Sequence, residues 1–196
     1  GTTVLAWNIT NGSCPNSSSS ISVVVDDLPS IAFAGMDQTL CTSSFTLEAQ
    51  APTVGTGSWT VLSGSANLQD PISPNSIVQN LSIGFNKFIW TNINGTVCPV
   101  SRDTISMNVL NFPDQSVTMS DLSVCETTQI TITSNNPSNG VGVWSVLEGS
   151  GIISNLSSFS TSISGLSYGR NLLRWTISNN PCPATFDTLL VYVYQK

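Results

Sequence analysis

Long-range self-similarity is the feature that most constrains the fold of this chain. The stretch GTGSWTVLSGS around Trp59 returns as GVGVWSVLEGS around Trp144, and the separation of these two tryptophans equals that of Trp90 and Trp175. Similarity at a fixed period indicates that one structural unit is repeated along the chain. We therefore predict two complete repeats, which span residues 28–111 and 112–196.

Residues 1–27 align with the last third of a repeat. Trp7 aligns with Trp90, and Cys14 aligns with Cys98. A two-stranded piece on its own is only marginally stable in water. We expect this segment to be the C-terminal hairpin of a preceding, truncated repeat whose other strands lie outside this chain or come from a neighbour.

Each repeat has the residue pattern of β-strands. The stretches FTLEAQ, SWTVLS, NKFIWTNI and DTISMNV alternate apolar and polar residues with a period of two. Gly, Pro, Asn and Ser punctuate them, and no segment has a convincing helical period. The predicted fold class is all-β, with tandem immunoglobulin-like or PKD-like β-sandwich repeats of roughly seven strands each.

The recurring tryptophans have two interpretations. Exposed indoles in a row could form a platform that stacks against sugars, whereas a tryptophan on a central sandwich strand packs in the core. The core interpretation is favoured for all four of them, namely Trp59, Trp90, Trp144 and Trp175.

The composition argues against several classes of function. Charged residues make up only 8% of the chain, the net charge is -6, and the five basic residues form no cluster. A surface that follows nucleic-acid phosphates is therefore not expected. The chain has no His, which excludes Ser-His-Asp and Cys-His catalysis. Its apolar runs are too short to span a bilayer as a helix. We expect that the chain is not an enzyme and that it has no cofactor, no metal site, no nucleic-acid partner and no membrane insertion.

Two acidic positions recur in both repeats. Asp37 returns as Asp121, and Asp103 returns as Asp187. Neither set is half of an obvious pair of catalytic carboxylates. The sequence alone assigns them no chemistry.

Five cysteines in a charge-poor all-β chain indicate an oxidising compartment. The lead interpretation pairs Cys41 with Cys98 and Cys125 with Cys182, and it leaves Cys14 over. The two cysteines of one repeat are, however, expected near opposite ends of a sandwich. A bond between Cys41 and Cys182, across the repeats, therefore stays open as an alternative. Zinc is disfavoured because the chain has neither His nor a CxxC motif.

A family resemblance covers nearly the whole chain. The succession GxD-x-T-x-C, FTLxA, GTGSWTVLSG, SPNSxVxxLSxG-x-N-x-FxW and NGxxCPxSxDTI resembles the tandem PKD-like and Ig-like repeats of giant SprB-type gliding-motility surface adhesins of Bacteroidota. The second repeat departs from this pattern, because VCETTQITITS replaces LCTSSFTLEAQ and NNP replaces the NG turn.

The resemblance implies a structural and adhesive segment of a long cell-surface filament used in surface attachment and gliding motility. Its implied partners are neighbouring repeats of the same long chain, surface polysaccharide, and the type IX secretion and gliding machinery. The implied location is extracellular, on an outer-membrane-associated filament at the cell surface. The alternative left open is a carbohydrate-binding or spacer module of a secreted multidomain enzyme.

The resemblance also implies covalent decoration. Exported proteins of this group commonly carry O-linked glycans where Asp is followed by Thr or Ser and then by a small or aliphatic residue. The stretches DTI at 103–105 and DTL at 187–189 match at equivalent places. We expect O-glycosylation at Thr104 and Thr188, which should then point outward at the start of the last strand. The alternative is that each Thr is simply a good strand residue.

Overall fold

The computed structural model describes residues 1–126 and 129–195, and within these ranges the regular structure consists of β-strands with no helix. The all-β prediction is confirmed. In chain order the strands are β1 (Thr2–Ile9), β2 (Ser17–Val24), β3 (Gln38–Leu40), β4 (Phe45–Thr46), β5 (Thr56–Ser63), β6 (Asn67–Leu68), β7 (Ile77–Gln79), β8 (Gly84–Ile93), β9 (Ser101–Val109), β10 (Leu122–Cys125), β11 (Gln129–Thr133), β12 (Val141–Glu148), β13 (Ile152–Ile153), β14 (Ser160–Ser164), β15 (Gly169–Asn179) and β16 (Cys182–Tyr194).

The chain divides into two compact units. The first comprises Gly1–Gln38 and Ser44–Met107, and the second comprises Thr39–Ser43 and Asn108–Lys196. A sheet in the order β3-β9-β8-β5 and a sheet in the order β4-β7-β6 belong to the first repeat. The second repeat has the same plan, with sheets β10-β16-β15-β12 and β11-β14-β13. A separate two-stranded sheet, β1-β2, comes before both.

Alternation along the strands creates the buried faces. In β15, Asn171, Leu173, Trp175 and Ile177 are fully buried, and the residues between them are not. Successive side chains of a strand point to opposite faces, so this period of two places one apolar row inside. The second core combines rows from both of its sheets: Ile132, Trp144, Ile163, Leu173, Trp175, Ile177, Leu189, Val191 and Val193.

A pair of tryptophans lies at the centre of each repeat. Trp144 of β12 is directly opposite Trp175 of β15, and their ring centroids are 5.2 Å apart at an interplanar angle of 47°. Trp59 and Trp90 form the same tilted pair in the first unit, at 5.0 Å and 49°. Tilted aromatic pairs at such separations are favourable beyond the area that they bury.

A glycine two residues before the first tryptophan makes room for the second. A Cβ atom placed on Gly142 would lie 1.9 Å from Cζ2 of Trp175, and one placed on Gly57 would lie 2.1 Å from Cζ2 of Trp90. Any side chain at these positions would overlap the indole ring. The Gly-x-Trp sequence of β5 and β12 is therefore a steric requirement of the core.

A buried asparagine closes the turn before each long strand. The side-chain nitrogen of Asn171 donates to the carbonyl of Ser167 at 2.8 Å, and its oxygen accepts from the amide of Ser167 at 3.1 Å. Asn86 makes the same two bonds with Ser82, at 2.7 and 3.2 Å. Both amides are fully buried, and these bonds satisfy polar groups that would otherwise be costly to bury.

We predict that Gly142→Ala lowers the free energy of unfolding of the second unit by about 2–3 kcal/mol, because the added methyl forces the Trp175 ring out of its place. Urea unfolding followed by tryptophan fluorescence would measure this loss. Val143→Ala, at the next and exposed position of β12, is the matched control and should cost much less. Equal losses for the two variants would contradict the steric argument.

Candidate functional site

The four repeated tryptophans offer no surface for stacking against sugars. Trp90 and Trp175 have no exposed area, and Trp59 and Trp144 are 2% and 1% exposed. The indole nitrogen of Trp144 donates to the carbonyl of Ser158 at 3.1 Å, inside the sandwich. These side chains are core residues.

The recurring aspartates connect separate stretches of backbone. Asp187 in β16 accepts the amide of Thr118 at 2.8 Å on one oxygen and the amide of Thr188 at 2.8 Å on the other. Asp103 binds the corresponding pair of amides in the first unit. Each carboxylate therefore ties the segment before the first sheet strand of its repeat to the last strand.

Asp121 and Asp37 make a second connection of this kind. Asp121 accepts the amide of Leu190 at 2.9 Å, and Asp37 accepts the amide of Ser106 at 2.8 Å. Both aspartates immediately precede an edge strand, and the amides belong to the strand beside it. The recurrence of these acids in the sequence is explained by structure and needs no catalytic role.

Hydrogen bonds lower the pKa of two carboxyl groups in the second unit. The Thr118 amide is the main cause of the lowered pKa of Asp187, and burial opposes it. The pKa of Asp114 is lowered to about 2, first by the side-chain amide of Asn139 and then by the backbone amide of Ser138. Donors aimed at a carboxylate favour its charged form.

Thr104 and Thr188 are both exposed. They lie inside strands β9 and β16, at the fourth and seventh residues, and not at the strand start that the sequence predicted. The preceding aspartate of each binds the threonine's own amide, so the Asp-Thr pair has a structural explanation. Glycosylation at these two residues stays a prediction.

The disulfide differs from the lead interpretation of the sequence. Cys41 is bonded to Cys182, with 5.3 Å between their Cα atoms. Cys98 and Cys125, which were expected to pair with them, are free thiols, as is Cys14. The reason is that Cys41 follows β3 within the segment Thr39–Ser43, which packs with the second unit. The alternative pairing across the sequence repeats is the one that the structure contains.

Cys98 has surroundings similar to those of Cys182. Its sulfur lies 3.4 Å from the carbonyl oxygen of Asp27, and the sulfur of Cys182 lies 3.5 Å from that of Asn111. Asp27 and Asn111 are separated along the sequence by the same interval as Cys98 and Cys182. Cys98 therefore occupies the equivalent place in its own repeat but has no bonded partner.

An exposed apolar face is carried by the hairpin of β1 and β2. We call it the hairpin face and define it by Leu5, Trp7, Ile9, Ile21 and Val23, which lie on one side of the two strands because they alternate in sequence and pair across the ladder. All sixteen residues of the two strands are exposed. Trp7 is 72% exposed, which is unusual for so large an apolar side chain. A shallow open depression is lined by Leu5, Trp7 and Ile21 together with the small residues beside them.

Ligand chemistry is sparse in the part of the chain that the structure describes. These residues contain no group of three or more His, Cys, Asp or Glu side chains that could hold a metal ion. They also include no helix that is long and apolar enough to cross a membrane.

Comparison with solved structures identifies the fold. The chain is similar to extracellular domains 3–5 of Drosophila OTK (TM-score 0.63, 10% identity, 90% of this chain and 67% of that one). It is also similar to Sidekick-1 immunoglobulin domains 1–4 (0.57, 12%, 85% and 48%) and to the I-band fragment I67–I69 of titin (0.53, 11%, 100% and 75%). The prediction of tandem immunoglobulin-like β-sandwich domains is therefore confirmed. No protein-family model matches the chain, and no curated protein matches it.

We predict that the second unit loses stability as the pH falls from 5 to 2. The lowered pKa of Asp187 means that its contribution is complete above the unfolded value of about 3.9 and is lost as the pH falls through the folded value. Asp187→Asn should be less stable than the parent at pH 6 and should show a smaller further loss on acidification. Thermal unfolding across this pH range would measure both effects.

Thr118→Val is the control for this pH dependence. It removes one hydroxyl donor to Asp187 and keeps the backbone amide that is the main cause of the lowered pKa. This variant should retain most of the pH dependence. An Asp187→Asn variant that kept the full pH dependence would contradict the assignment.

Proposed function

We propose that this chain is a structural and adhesive segment of a long extracellular filament at the cell surface, used in surface attachment and gliding motility. In this proposal it is exported by the type IX secretion system, and its neighbours are further repeats of the same chain. Its surface target is a polysaccharide, and the gliding machinery moves the filament. The resemblance of its repeats to SprB-type adhesins motivates these assignments.

The position of the disulfide is the observation that carries the structural part of the proposal. Cys41 and Cys182 are 141 residues apart in sequence. When the chain is pulled from its two ends, tension passes from residue 41 to residue 182 through the sulfur atoms. The residues between them, which include most of both sandwiches, lie outside that path. A bond in this place suits a chain that bears load along its length.

The repeated architecture is a second support. Both repeats have the same sheet order, the same tryptophan pair and the same aspartate connections. A spacer works by length and stiffness, and repeating one unit adds length without requiring a new site in each copy. The tryptophans, the glycines beside them, the buried asparagines and the aspartates that recur between the repeats have structural explanations.

The adhesive part of the proposal is supported by the surface composition. Charged residues are only 8% of the chain, and much of the polarity comes from Ser, Thr and Asn. Such hydroxyls and amides can donate to and accept from polysaccharide hydroxyls. Attachment through neutral groups is little affected by salt, because screening acts on charges.

We predict that the disulfide limits the extension of the chain under force. In single-molecule pulling from the two termini, Cys41→Ser or reduction should add about 490 Å of contour length, because about 141 more residues become extensible at up to 3.3–3.6 Å each. Cys98→Ser, which removes a free thiol, is the matched control and should leave the extension unchanged. Equal extension of the oxidised and reduced chains would remove the main support for a load-bearing role.

Attachment can be tested separately from extension. Beads coated with the intact chain should be retained under flow on agarose better than beads coated with titin I67–I69, which is similar in fold. The advantage should persist in about 0.5 M NaCl, since neutral contacts are not screened. Retention no better than that of the titin control would refute the adhesive role and leave the load-bearing role standing.

A further inference from the structure

The hairpin of β1 and β2 has the same register as the central hairpin of the second sandwich. In β1-β2, Trp7 is opposite Ser19 and Leu5 is opposite Ile21. When 168 is added to both residue numbers, each of the eight pairs becomes a pair of β15-β16. The pair of Trp7 and Ser19, for example, becomes that of Trp175 and Asp187. The hairpin face therefore corresponds, residue for residue, to Leu173, Trp175, Ile177, Leu189 and Val191.

Those five counterparts are all fully buried. Strand β12 runs antiparallel along the outer edge of β15, and strand β10 runs parallel along the outer edge of β16. Ile132 of β11 and Ile163 of β14 belong to the same core and come from the second sheet. The second sandwich thus shows what covers a hairpin of this kind.

None of these three coverings is present on the hairpin of β1 and β2. In the described part of the chain its two strands pair only with each other, so both outer edges are open. Trp7 is 72% exposed, whereas Trp175 has no exposed area. A large apolar face beside two open strand edges is a site for association with another polypeptide.

The tryptophan geometry specifies one feature of the occupant. In both complete repeats the strand beside the central tryptophan carries Gly-x-Trp, because a side chain at the glycine would overlap the indole ring. We propose that the hairpin is the acceptor half of a further sandwich. Its occupant is the front portion of a further repeat of this type, not of a second copy of this chain, and it carries a Gly-x-Trp strand. This inference does not rest on the adhesive role.

The register of the occupant follows from β12 and β15. Trp144 is opposite Trp175, and Gly142 is opposite Ile177. The occupant strand should therefore run antiparallel along β1, with its tryptophan opposite Trp7 and its glycine opposite Ile9. A second, shorter strand should run parallel along β2.

The occupant should also reach Cys98. Cys41 lies in the front portion of one sequence repeat and is bonded to Cys182 in the next. By the same relation, the front portion that completes the hairpin brings its own cysteine to Cys98, which is a free thiol in equivalent surroundings. The two thiols would release two protons and two electrons to a small-molecule disulfide, which is reduced to two thiols.

The test is an extended chain in which residues 112–168 are joined in front of Gly1 of the full 196-residue protein. Gly169 follows residue 168 in the parent and corresponds to Gly1 in the hairpin register. After refolding with oxidised and reduced glutathione, hydrogen exchange of the β1 and β2 amides should slow at least tenfold. Trp7 should resist oxidation, and mass spectrometry should find a bond between Cys125 of the extension and Cys98.

Two further extended chains serve as controls. The first carries Gly142→Val in the extension alone, which should restore fast exchange and exposure of Trp7 because the valine overlaps the indole. The second uses residues 28–83 as the extension. If the extension of residues 112–168 merely fails to fold, this second extension should still protect the hairpin. Its Gly57 then takes the place of Gly142.

Three outcomes would overturn the proposal. One is that Trp7 stays exposed in both extended chains while residues 28–196 remain folded. Another is that the Gly142→Val extension protects the hairpin as well as the parent extension does. The third is that the unextended chain dimerises in analytical ultracentrifugation and protects Trp7 as it does so, which would make a second copy of the chain the occupant.

Discussion

The contact between a tryptophan ring and a glycine of the neighbouring strand determines how each sandwich is assembled. In the second unit the Trp175 indole occupies the space where a side chain of Gly142 would stand, and Trp144 packs against the same ring. The ring is accommodated at the centre of this sheet because the adjacent strand has no side chain at that position. The glycine therefore fixes which strand lies beside β15 and in which register, since a shift by one residue would place Val141 or Val143 against the indole.

The parts of the fold that repeat along the sequence could be predicted from it. The nearly constant repeat period, the alternation within strands and the tryptophan positions are patterns that can be seen in the sequence of both copies. The roles of Asp37 and Asp103 could not be assigned in the same way, although their recurrence was visible. Their partners are the amides of Ser106 and Ala34, each 69 residues away, and backbone amides carry no signature in the sequence. The buried Asn86 belongs to a recognised motif, but its bonds to Ser82 depend on a turn that only the structure defines.

The disulfide shows why cysteine spacing alone misleads in a repeat protein. Cys41 and Cys98 are as far apart in sequence as Cys125 and Cys182, so pairing within each repeat was the simplest interpretation, because it needs one rule for both copies. Pairing across repeats also applies the same scheme to every repeat, so the cysteine spacing cannot distinguish pairing within repeats from pairing across them. What decides is that residues 39–43 pack with the second unit, which is a fact of tertiary structure. For the first hairpin, the sequence predicted only its alignment with the last third of a repeat, and the exposure of the hairpin face is a finding of the structure.

A bond that crosses repeats has a mechanical consequence that a bond within a repeat lacks. Bonds within repeats would close separate loops. The chain between two such loops would belong to neither of them, and it would be free to extend once the sandwiches unfolded. Cys125 corresponds to Cys41 but lies inside the segment that the bond between Cys41 and Cys182 encloses. If the same bond recurs from Cys125 to a following repeat, its loop begins before the previous loop ends. Successive loops then overlap, and every segment of the array between the first and last bonds lies within at least one covalent loop. When any one sandwich unfolds, such an array would lengthen by only a small part of the contour length of that sandwich.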